Sequence, residues 1–216
     1  MPTLLYEDPH LLLIEKPVGV SAQDSDGDCI PRRLAEQGYS VKVVHRLDNP
    51  TGGVMVYART DKAAAALSAL VGQHDRFRKE YLAIVQGCPT EKEGSLSDLL
   101  YHDVRRNKSY VVNRARKGVR EAKLDYCVME TVTVTEGTFS LIKVRLHTGR
   151  THQIRVQFAS RKMPLYGDTR YGGAKAKALG LWSYQLTLPH PISGNTLSAH
   201  STPPLDTAPW CYFKSI

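Results

Sequence analysis

The chain has few cysteines, and their spacing excludes the common uses of clustered thiols. Its four Cys residues are far apart, and no two of them form a Cys-x-x-Cys unit. Such spacing fits neither a zinc finger nor the disulfide framework of a small secreted domain. We therefore expect Cys29, Cys88, Cys127 and Cys211 to be free thiols in a reducing cytoplasm.

Long apolar runs, targeting signals and repeats are also absent from the sequence. The opening segment "MPTLLYEDPHLLLIEKP" lacks the basic start and the extended apolar core of a signal peptide. No apolar run approaches the roughly 20 residues that a transmembrane helix needs. These absences predict a cytoplasmic protein with no membrane partner, and we expect it to be a monomer.

Positive charge is in excess, with 29 Lys and Arg residues against 21 Asp and Glu residues and a net charge of +8. A basic surface favours a polyanionic partner such as nucleic acid. The excess is unevenly spread, because residues 105–120, "RRNKSYVVNRARKGVR", hold seven Lys or Arg residues and no acidic residue. Further basic clusters occur in "RFRK" at 76–79 and in residues 145–162.

Two interpretations of residues 105–120 are open. The segment is either a solvated, mobile loop or a strand–loop–strand arm that contacts RNA phosphates. The neighbouring basic clusters favour the arm, because phosphate contacts supply most of the affinity of proteins for nucleic acid. On that interpretation Arg114, Arg116 and Lys117 are candidate RNA-binding residues.

The order of helix and strand patterns predicts an α+β domain. "TDKAAAALSALVGQH" is the clearest helix, since Thr60 suits the N-cap and Ala and Leu favour helix. A second helix is expected in "THQIRVQFASRK", with Thr151 as its cap. Apolar and β-branched residues predict strands in the segments "VKVVHRL", "GVMVYA", "KEYLAIVQG", "EAKLDYCVMETVTV" and "GTFSLIKVRLHTG".

The composition is compatible with one packed core. Hydrophobic residues make up 42% of the 216 positions. We expect a single domain over residues 1–216, with a mostly antiparallel mixed sheet flanked by helices and loops.

The segment "VVHRLDNPTGG", residues 43–53, places a carboxylate beside a His and an Arg just before a cluster of turn residues. A strand that ends in an ordinary turn explains this pattern, because Asp and Asn accept local backbone hydrogen bonds and Pro stops a strand. Asp48 is nevertheless a candidate catalytic residue, since a carboxylate at a strand end is well placed to face a ligand.

Further polar candidates lie in "RKEYLAIVQG", which contains Tyr81, and in "LHTGRTHQIR". A metal site built from His45, Asp48, His147 and His152 is an alternative, but the spacing of the two later His residues matches no common metal motif. The G-x-S-x-G elbow of a serine hydrolase is absent. We therefore expect neither a metal nor a cofactor.

Four segments together carry a strong resemblance to RluA-type RNA pseudouridine synthases. They are "HRLDNPTGGVMVYA", "KEYLAIVQG", "LHTGRTHQIRVQFAS" and "PLYGDTRYGG", in the family's order and at roughly its intervals. The opening "LLLIEKPVGV" also resembles the first strand of that family. The similarity covers nearly the whole chain.

The resemblance implies an isomerase that converts uridine to pseudouridine within RNA and needs no cofactor. In that chemistry the N1–C1′ bond breaks and C5 of uracil bonds to C1′. The resemblance places Asp48 at the sugar as the nucleophile, Arg155 beside Asp48, Tyr81 against the uracil ring and Ile154 as an apolar wall. An ionised carboxylate at an anomeric carbon also acts in glycoside cleavage.

The resemblance also implies that the target base is flipped out of its stack. Arg46 is expected to fill the gap, and His45 to face the RNA with it. The chain departs from the family pattern at one point, where Thr51-Gly52-Gly53 replaces the usual Thr-Ser-Gly. We expect no N-terminal S4-type domain, so the catalytic domain itself would recognise a structured RNA, either ribosomal RNA or tRNA. The alternative function is a non-catalytic RNA-binding module or RNA chaperone on the same fold.

Overall fold

The computed structural model describes residues 2–216, so that Met1 of the expected domain lies outside the described residues. Strands dominate, and three α-helices and two short 3-10 turns accompany them. The strands are β1 Thr3–Glu7, β2 Leu11–Lys16, β3 Lys42–Val43, β4 Gly52–Ala58, β5 Arg78–Gln86, β6 Glu93–Asp103, β7 Lys108–Val112, β8 Val119–Val134, β9 Gly137–Leu146, β10 Leu181–Pro189 and β11 Thr196–His200. The helices are α1 Ile30–Ala35, α2 Asp61–Val71 and α3 Gln153–Ala159, and the 3-10 turns are Thr169–Tyr171 and Trp210–Tyr212.

The chain divides into two compact units. The first comprises Met1–Glu80 and Trp182–Pro203, and the second comprises Tyr81–Leu181 and Pro204–Ile216. The expectation of a single domain stays a prediction. The predicted fold class is confirmed, because the strands form a mixed and mostly antiparallel sheet with few helices.

In the first unit β2 pairs antiparallel with both β1 and β4, and β4 pairs in parallel with the start of β10. Strand β4 and the first four residues of β2 are apolar and buried. Helix α2 covers them with Ala63, Leu67 and Leu70, which join the same hydrophobic cluster. The predicted helix and its cap are confirmed, since the Thr60 hydroxyl accepts the Ala63 N–H at 3.2 Å.

In the second unit β8 and β9, both predicted as strands, form a long antiparallel hairpin, and β6 pairs with β8 on the other side. Strand β7 then pairs with β6. A small apolar cluster of Leu100, Ala122 and Val156 packs α3 against these strands. Val111 of β7 packs against the same cluster, so β6, β7 and β8 all contribute to the packing of α3.

Two local predictions were wrong. The strand expected over residues 41–47 ends at Val43, because the His45 ring accepts the Val56 N–H at 3.1 Å and so replaces the next backbone bond of the ladder. Thr151 does not cap α3. The residue before the helix is His152 in a left-handed conformation, with φ of 55°, and it makes no side-chain cap.

Candidate active site

Asp48 lies at the start of a tight turn that follows β3. The turn is closed by the Thr51 N–H, which donates to the Asp48 carbonyl at 2.9 Å. The Gly19 N–H donates to the Asn49 carbonyl at 2.8 Å, so the turn is also fastened to the loop after β2. The Asp48 side chain is half-buried. Its backbone is therefore fixed on both sides, while the carboxylate keeps partial access to solvent.

Lys16 is a buried cation that ties these two loops together. Its side chain is fully buried, and Nζ donates to the carbonyls of Pro17 and Val20 at 2.9 Å and of Asn49 at 3.2 Å. Burial lowers the pKa of Lys16 to about 8, and the nearby Asp48 carboxylate opposes that shift. The three acceptors use all three N–H bonds of an ammonium group. Lys16 thus places a positive charge near Asp48 and holds the turn in register.

Sequence reasoning gave Lys16 no role. The one signal in the sequence is a Lys that follows the apolar run Leu11–Ile14 after a single Glu. A charged residue at the end of such a strand seldom enters the interior unless it is paired.

His45 and Arg46, both predicted to contact RNA, have different surroundings. His45 is half-buried, and its ring lies edge-on to Phe77 with centroids 5.5 Å apart. Burial and the neighbouring Lys79 lower the pKa of His45 to about 3, so the ring is neutral. Arg46 is exposed, and its guanidinium donates to Gln23 Oε1 at 3.4 Å. Their contacts with RNA stay predictions.

A steric conflict explains why this chain has Gly52 where the family usually has serine. A Cβ at position 52 would lie 2.3 Å from Cζ3 of Trp182, which is closer than any real contact. The Trp182 ring is fixed because its indole N–H donates to the Ser201 carbonyl at 2.9 Å. This chain therefore has an indole where a serine side chain at position 52 would need space.

Arg155, on α3, is buried and makes a bidentate ion pair with Asp168. Nε lies 2.7 Å from Oδ2, Nη2 lies 2.8 Å from Oδ1, and both side chains are almost completely buried. The guanidinium carbon lies 5.2 Å from the centroid of the Tyr171 ring. Fork-to-carboxylate pairing fixes the orientation of the guanidinium plane. Asp168 and Tyr171 lie in "PLYGDTRYGG", which sequence reasoning quoted without giving either residue a role.

Tyr171 joins α3 to β7. Its hydroxyl accepts the Ser109 N–H at 2.8 Å and lies 2.9 Å from Nδ1 of His152. The Ser109 hydroxyl donates to the Thr151 carbonyl at 2.6 Å. The bonds to Ser109 hold β7 next to the loop that precedes α3, within the second unit.

His147 and His152, two of the candidate metal ligands, have other partners. His147 hydrogen-bonds to Asp125, and His152 bonds to Tyr171. Across residues 2–216 no group of three or more His, Cys, Asp or Glu side chains comes together as a set of metal ligands. The expectation of a metal-free reaction stays a prediction. All four cysteines are free thiols, as expected.

The predicted basic arm contains the β6–β7 turn, strand β7, a loop over 113–118 and the first residues of β8. Arg114, Arg116 and Lys117 are exposed in that loop. Arg116 lies over the Tyr101 ring, with its guanidinium carbon 4.9 Å from the centroid. This arrangement agrees with a strand–loop–strand segment, and its contact with RNA stays a prediction.

The three predicted catalytic residues and the predicted apolar wall Ile154 are distributed over both units. Asp48 belongs to the first unit, whereas Tyr81, Ile154 and Arg155 belong to the second. Tyr81 lies on β5 and Ile154 on α3, and both are buried. A common site for these four residues stays a prediction.

Comparison with solved structures gives the class of fold. The chain superimposes on the human RNA pseudouridylate synthase domain containing 1 with a TM-score of 0.80 over 97% of this chain and 86% of that one, at 20% identity. The human RNA pseudouridylate synthase domain containing 4 gives a TM-score of 0.76 over 94% of this chain and 88% of that one, at 23% identity. The fold is therefore that of a pseudouridine synthase domain.

Sequence comparison gives the family. Residues 10–160 match the family model described as RNA pseudouridylate synthase. The chain is 34% identical to the ribosomal large subunit pseudouridine synthase D of Xanthomonas campestris over 94% of this chain and 66% of that protein. It is 32% identical to the uncharacterized RNA pseudouridine synthase YhcT of Bacillus subtilis over 98% of this chain and 72% of that protein.

The chain belongs to the RNA pseudouridine synthase family, of the RluA type, as its motifs indicated. The predicted enzyme class, an isomerase that acts on RNA, is confirmed at the level of the family. The chain spans about two thirds of the length of these relatives, 66% of one and 72% of the other. Within residues 2–216, no helix has the length and apolar character to cross a bilayer.

Proposed function

We propose that this protein converts uridine to pseudouridine in a structured RNA and that Asp48 performs the chemistry. The observation that carries the proposal is the fixed Asp48 turn, with a half-buried carboxylate next to the buried ammonium of Lys16. Burial alone would favour a protonated carboxyl group, and a nearby cation opposes this.

In the proposed reaction Asp48 attacks C1′ and the N1–C1′ electron pair leaves with uracil. The uracil then turns, C5 attacks C1′, and the bond to Asp48 breaks. C5 loses its proton, and N1 gains one, so the reaction is an isomerisation without oxidant or cofactor. A second route starts with removal of the C2′ proton by Asp48. Deuterium at C2′ distinguishes the two, because only the second route breaks that C–H bond.

The other predicted residues have supporting roles in this proposal. Tyr81 lies against the uracil ring, and Ile154 supplies an apolar wall. Arg155 supports the charge of Asp48, and its bidentate pair with Asp168 supports that role by fixing the guanidinium. Arg46 fills the place of the flipped base. Removal of the base from its stack costs a few kcal/mol, which contacts with the flanking RNA must offset.

We propose ribosomal RNA as the first substrate to test, with tRNA as the second. Relatives from Xanthomonas campestris, Nitrosomonas europaea and Zymomonas mobilis carry the name ribosomal large subunit pseudouridine synthase D. Pseudouridine mapping of both RNA classes, in cells with and without the gene, identifies the target. Loss of one or a few sites is expected when the gene is absent.

Tritium release from RNA labelled at uracil C5 tests the activity directly. The wild type is expected to release tritium, and Asp48→Asn is expected to release none while it binds RNA with nearly unchanged affinity. Asn keeps the size and turn propensity of Asp and removes only the charge. If the wild type binds RNA but releases no tritium from total cellular RNA, the protein is a binding module or RNA chaperone instead.

A further inference from the structure

The segment "PLYGDTRYGG" forms a 3-10 turn, Thr169–Tyr171, whose side chains reach other elements of the second unit. Asp168, just before the turn, binds Arg155 of α3. Arg170 donates from Nη1 to two carbonyls of the turn between β6 and β7, at 2.8 and 3.1 Å. The segment therefore contacts both the helix that carries Arg155 and the hairpin of the basic arm.

Tyr171 supplies a second contact to the Arg155 guanidinium. The guanidinium carbon lies 5.2 Å from the centroid of the Tyr171 ring, within the range of a cation–π contact. The bidentate pair fixes the guanidinium relative to the Asp168 carboxylate, and the ring adds a contact that the carboxylate does not supply. Displacement of the ring would therefore change the surroundings of the cation without breaking the ion pair.

The Tyr171 ring is itself held through its hydroxyl group. That hydroxyl accepts the Ser109 N–H at 2.8 Å and lies 2.9 Å from Nδ1 of His152. Ser109 is 1% exposed, so its backbone N–H has no ready substitute for this acceptor in solvent. Loss of the hydroxyl would release the ring from both β7 and the residue before α3.

His152 connects these contacts to the start of α3. It is a non-glycine residue in the left-handed conformation, with φ of 55°, immediately before the helix. Such a conformation is unfavourable and persists where the surrounding structure over-determines it. The preceding carbonyl, of Thr151, accepts the Ser109 hydroxyl at 2.6 Å, and the His152 ring is bonded to Tyr171. Ser109 and Tyr171 therefore hold His152 through its preceding peptide and its side chain, three positions before Arg155.

We propose that Tyr171 is a positioning residue of the reaction, which orients the Arg155 guanidinium so that it supports the charge of Asp48. Ser109 in turn holds Tyr171 in place. The inference rests on the proposed function, because it uses the role given there to Arg155. Ser109 lies on β7, within the basic arm, whereas none of these bonds involves the loop at 113–118. The reaction rate thus depends on one part of the arm and not on its loop.

Three variants test the proposal. Tyr171→Phe keeps the ring and removes the hydroxyl that accepts from Ser109. Ser109→Ala keeps that N–H and removes the bond to the Thr151 carbonyl. Tyr212→Phe is the matched control, because Tyr212 also closes a 3-10 turn of the second unit and its hydroxyl also bonds to a side chain, Glu136 at 3.4 Å. Thermal unfolding followed by circular dichroism checks that each variant is folded.

The measurement is single-turnover tritium release over a range of RNA concentrations. Tyr171→Phe is expected to lower the rate at saturating RNA about fivefold to thirtyfold, because a small displacement of a positioned group is costly. The RNA concentration at half-maximal rate should change less than about twofold, since no RNA contact is removed. Ser109→Ala should lower the saturated rate about twofold to fivefold, and Tyr212→Phe should match the wild type. A wild-type saturated rate for Tyr171→Phe, or a change confined to the half-saturating RNA concentration, would overturn the proposal.

The pH profile separates positioning from a general loss of structure. The saturated rate is expected to fall in acid as the Asp48 carboxylate takes up a proton. A displaced guanidinium opposes that protonation less, so the acid limb of Tyr171→Phe should lie about 0.5–1 pH unit above that of the wild type. Ser109→Ala should shift in the same direction, and it carries the test if Tyr171→Phe does not fold. A lower rate with an unshifted limb would assign Tyr171 to packing alone and contradict the proposal.

Tritium release by the wild type distinguishes a failure of this inference from a failure of the proposed function. If the wild type releases no tritium, both proposals fail. If the wild type is active and Tyr171→Phe behaves as Tyr212→Phe does, only the positioning role fails.

Discussion

The Asp48 segment and the basic arm at residues 105–120 use positive charge in opposite ways. Beside Asp48 the cation is Lys16, which is buried and bound by three backbone carbonyls. In the loop of the arm the cations are exposed, and Arg116 has only an aromatic ring beneath it. A buried cation with fixed acceptors sets geometry, whereas an exposed cation attracts phosphate and is screened by salt. We therefore expect the reaction to depend on the first region and RNA affinity to depend on the second, and both expectations stay predictions.

Arg155, in the second unit, is also a buried cation with fixed acceptors, as Lys16 is in the first unit. Removal of its partner in Asp168→Ala leaves a guanidinium uncompensated in the interior, and we expect the free energy of unfolding to fall by about 3–5 kcal/mol. Chemical denaturation measures this loss. Glu121→Ala is the control, because both side chains of its ion pair with Lys123 are exposed, and we expect a loss of at most about 1 kcal/mol. Equal losses would show that burial does not distinguish the two pairs.

Lys16→Met is expected to lower the free energy of unfolding by about 3 kcal/mol, because it leaves buried carbonyls without a donor. Turnover should fall with it, since the Asp48 turn loses its attachment. Denaturation and tritium release on the same preparation measure both. A stable variant with full turnover would refute the positioning role.

The pH dependence of stability sharpens the Lys16 prediction. Burial lowers its pKa from 10.5 to about 8, so between these values the unfolded chain binds more protons than the folded one. Stability contributed by this residue therefore rises with pH through that window. The difference in unfolding free energy between wild type and Lys16→Met should grow from about pH 8 to about pH 10. A constant difference would contradict the shift.

Gly52→Ser restores the residue usual in the family. The variant tests whether the Trp182 ring is the reason that this chain has glycine at position 52. We expect a loss of about 1–3 kcal/mol, since the new side chain overlaps the indole. In the background of Trp182→Leu the same substitution should cost much less. A double-mutant cycle measures the coupling, and additive losses would show that the indole is not the reason for glycine.

Substitutions in the loop of the basic arm are expected to have the smallest effect on the reaction. Replacement of Arg114, Arg116 and Lys117 by Gln should flatten the salt dependence of RNA binding by about 0.7–0.9 per lost phosphate contact. Binding at several salt concentrations measures the slope. An unchanged slope would show that residues 113–118 form a solvated loop without phosphate contacts.

Local patterns predicted the elements that local forces decide. Helix α2 and its Thr60 cap follow from the properties of adjacent residues, and the β8–β9 hairpin follows from alternation around a turn. The strand before Asp48 was predicted too long. Strand propensities describe single residues, so they do not foresee that the His45 ring accepts a hydrogen bond in place of a backbone carbonyl.

The sequence motifs predicted the candidate catalytic residues, but they did not predict the residues that contact and position them. Asp48 and Arg155 stand inside segments that resemble a family, so their types and order were informative. Lys16 and Asp168 act through contacts with residues far along the chain, and only the fold brings them there. Trp182 is a further case, since nothing near Gly52 in the sequence predicts an indole against it.

Single-turnover tritium release at saturating RNA tests the division between the two regions most directly. Wild type, Asp48→Asn and the triple Gln variant of the arm are compared on one substrate RNA. We predict that the arm variant reaches the wild-type rate once RNA is saturating, because it lacks only affinity. Asp48→Asn should release less than about a hundredth of the tritium, as expected for loss of a nucleophile. Substantial release by Asp48→Asn, or an equally slow arm variant, would contradict the account.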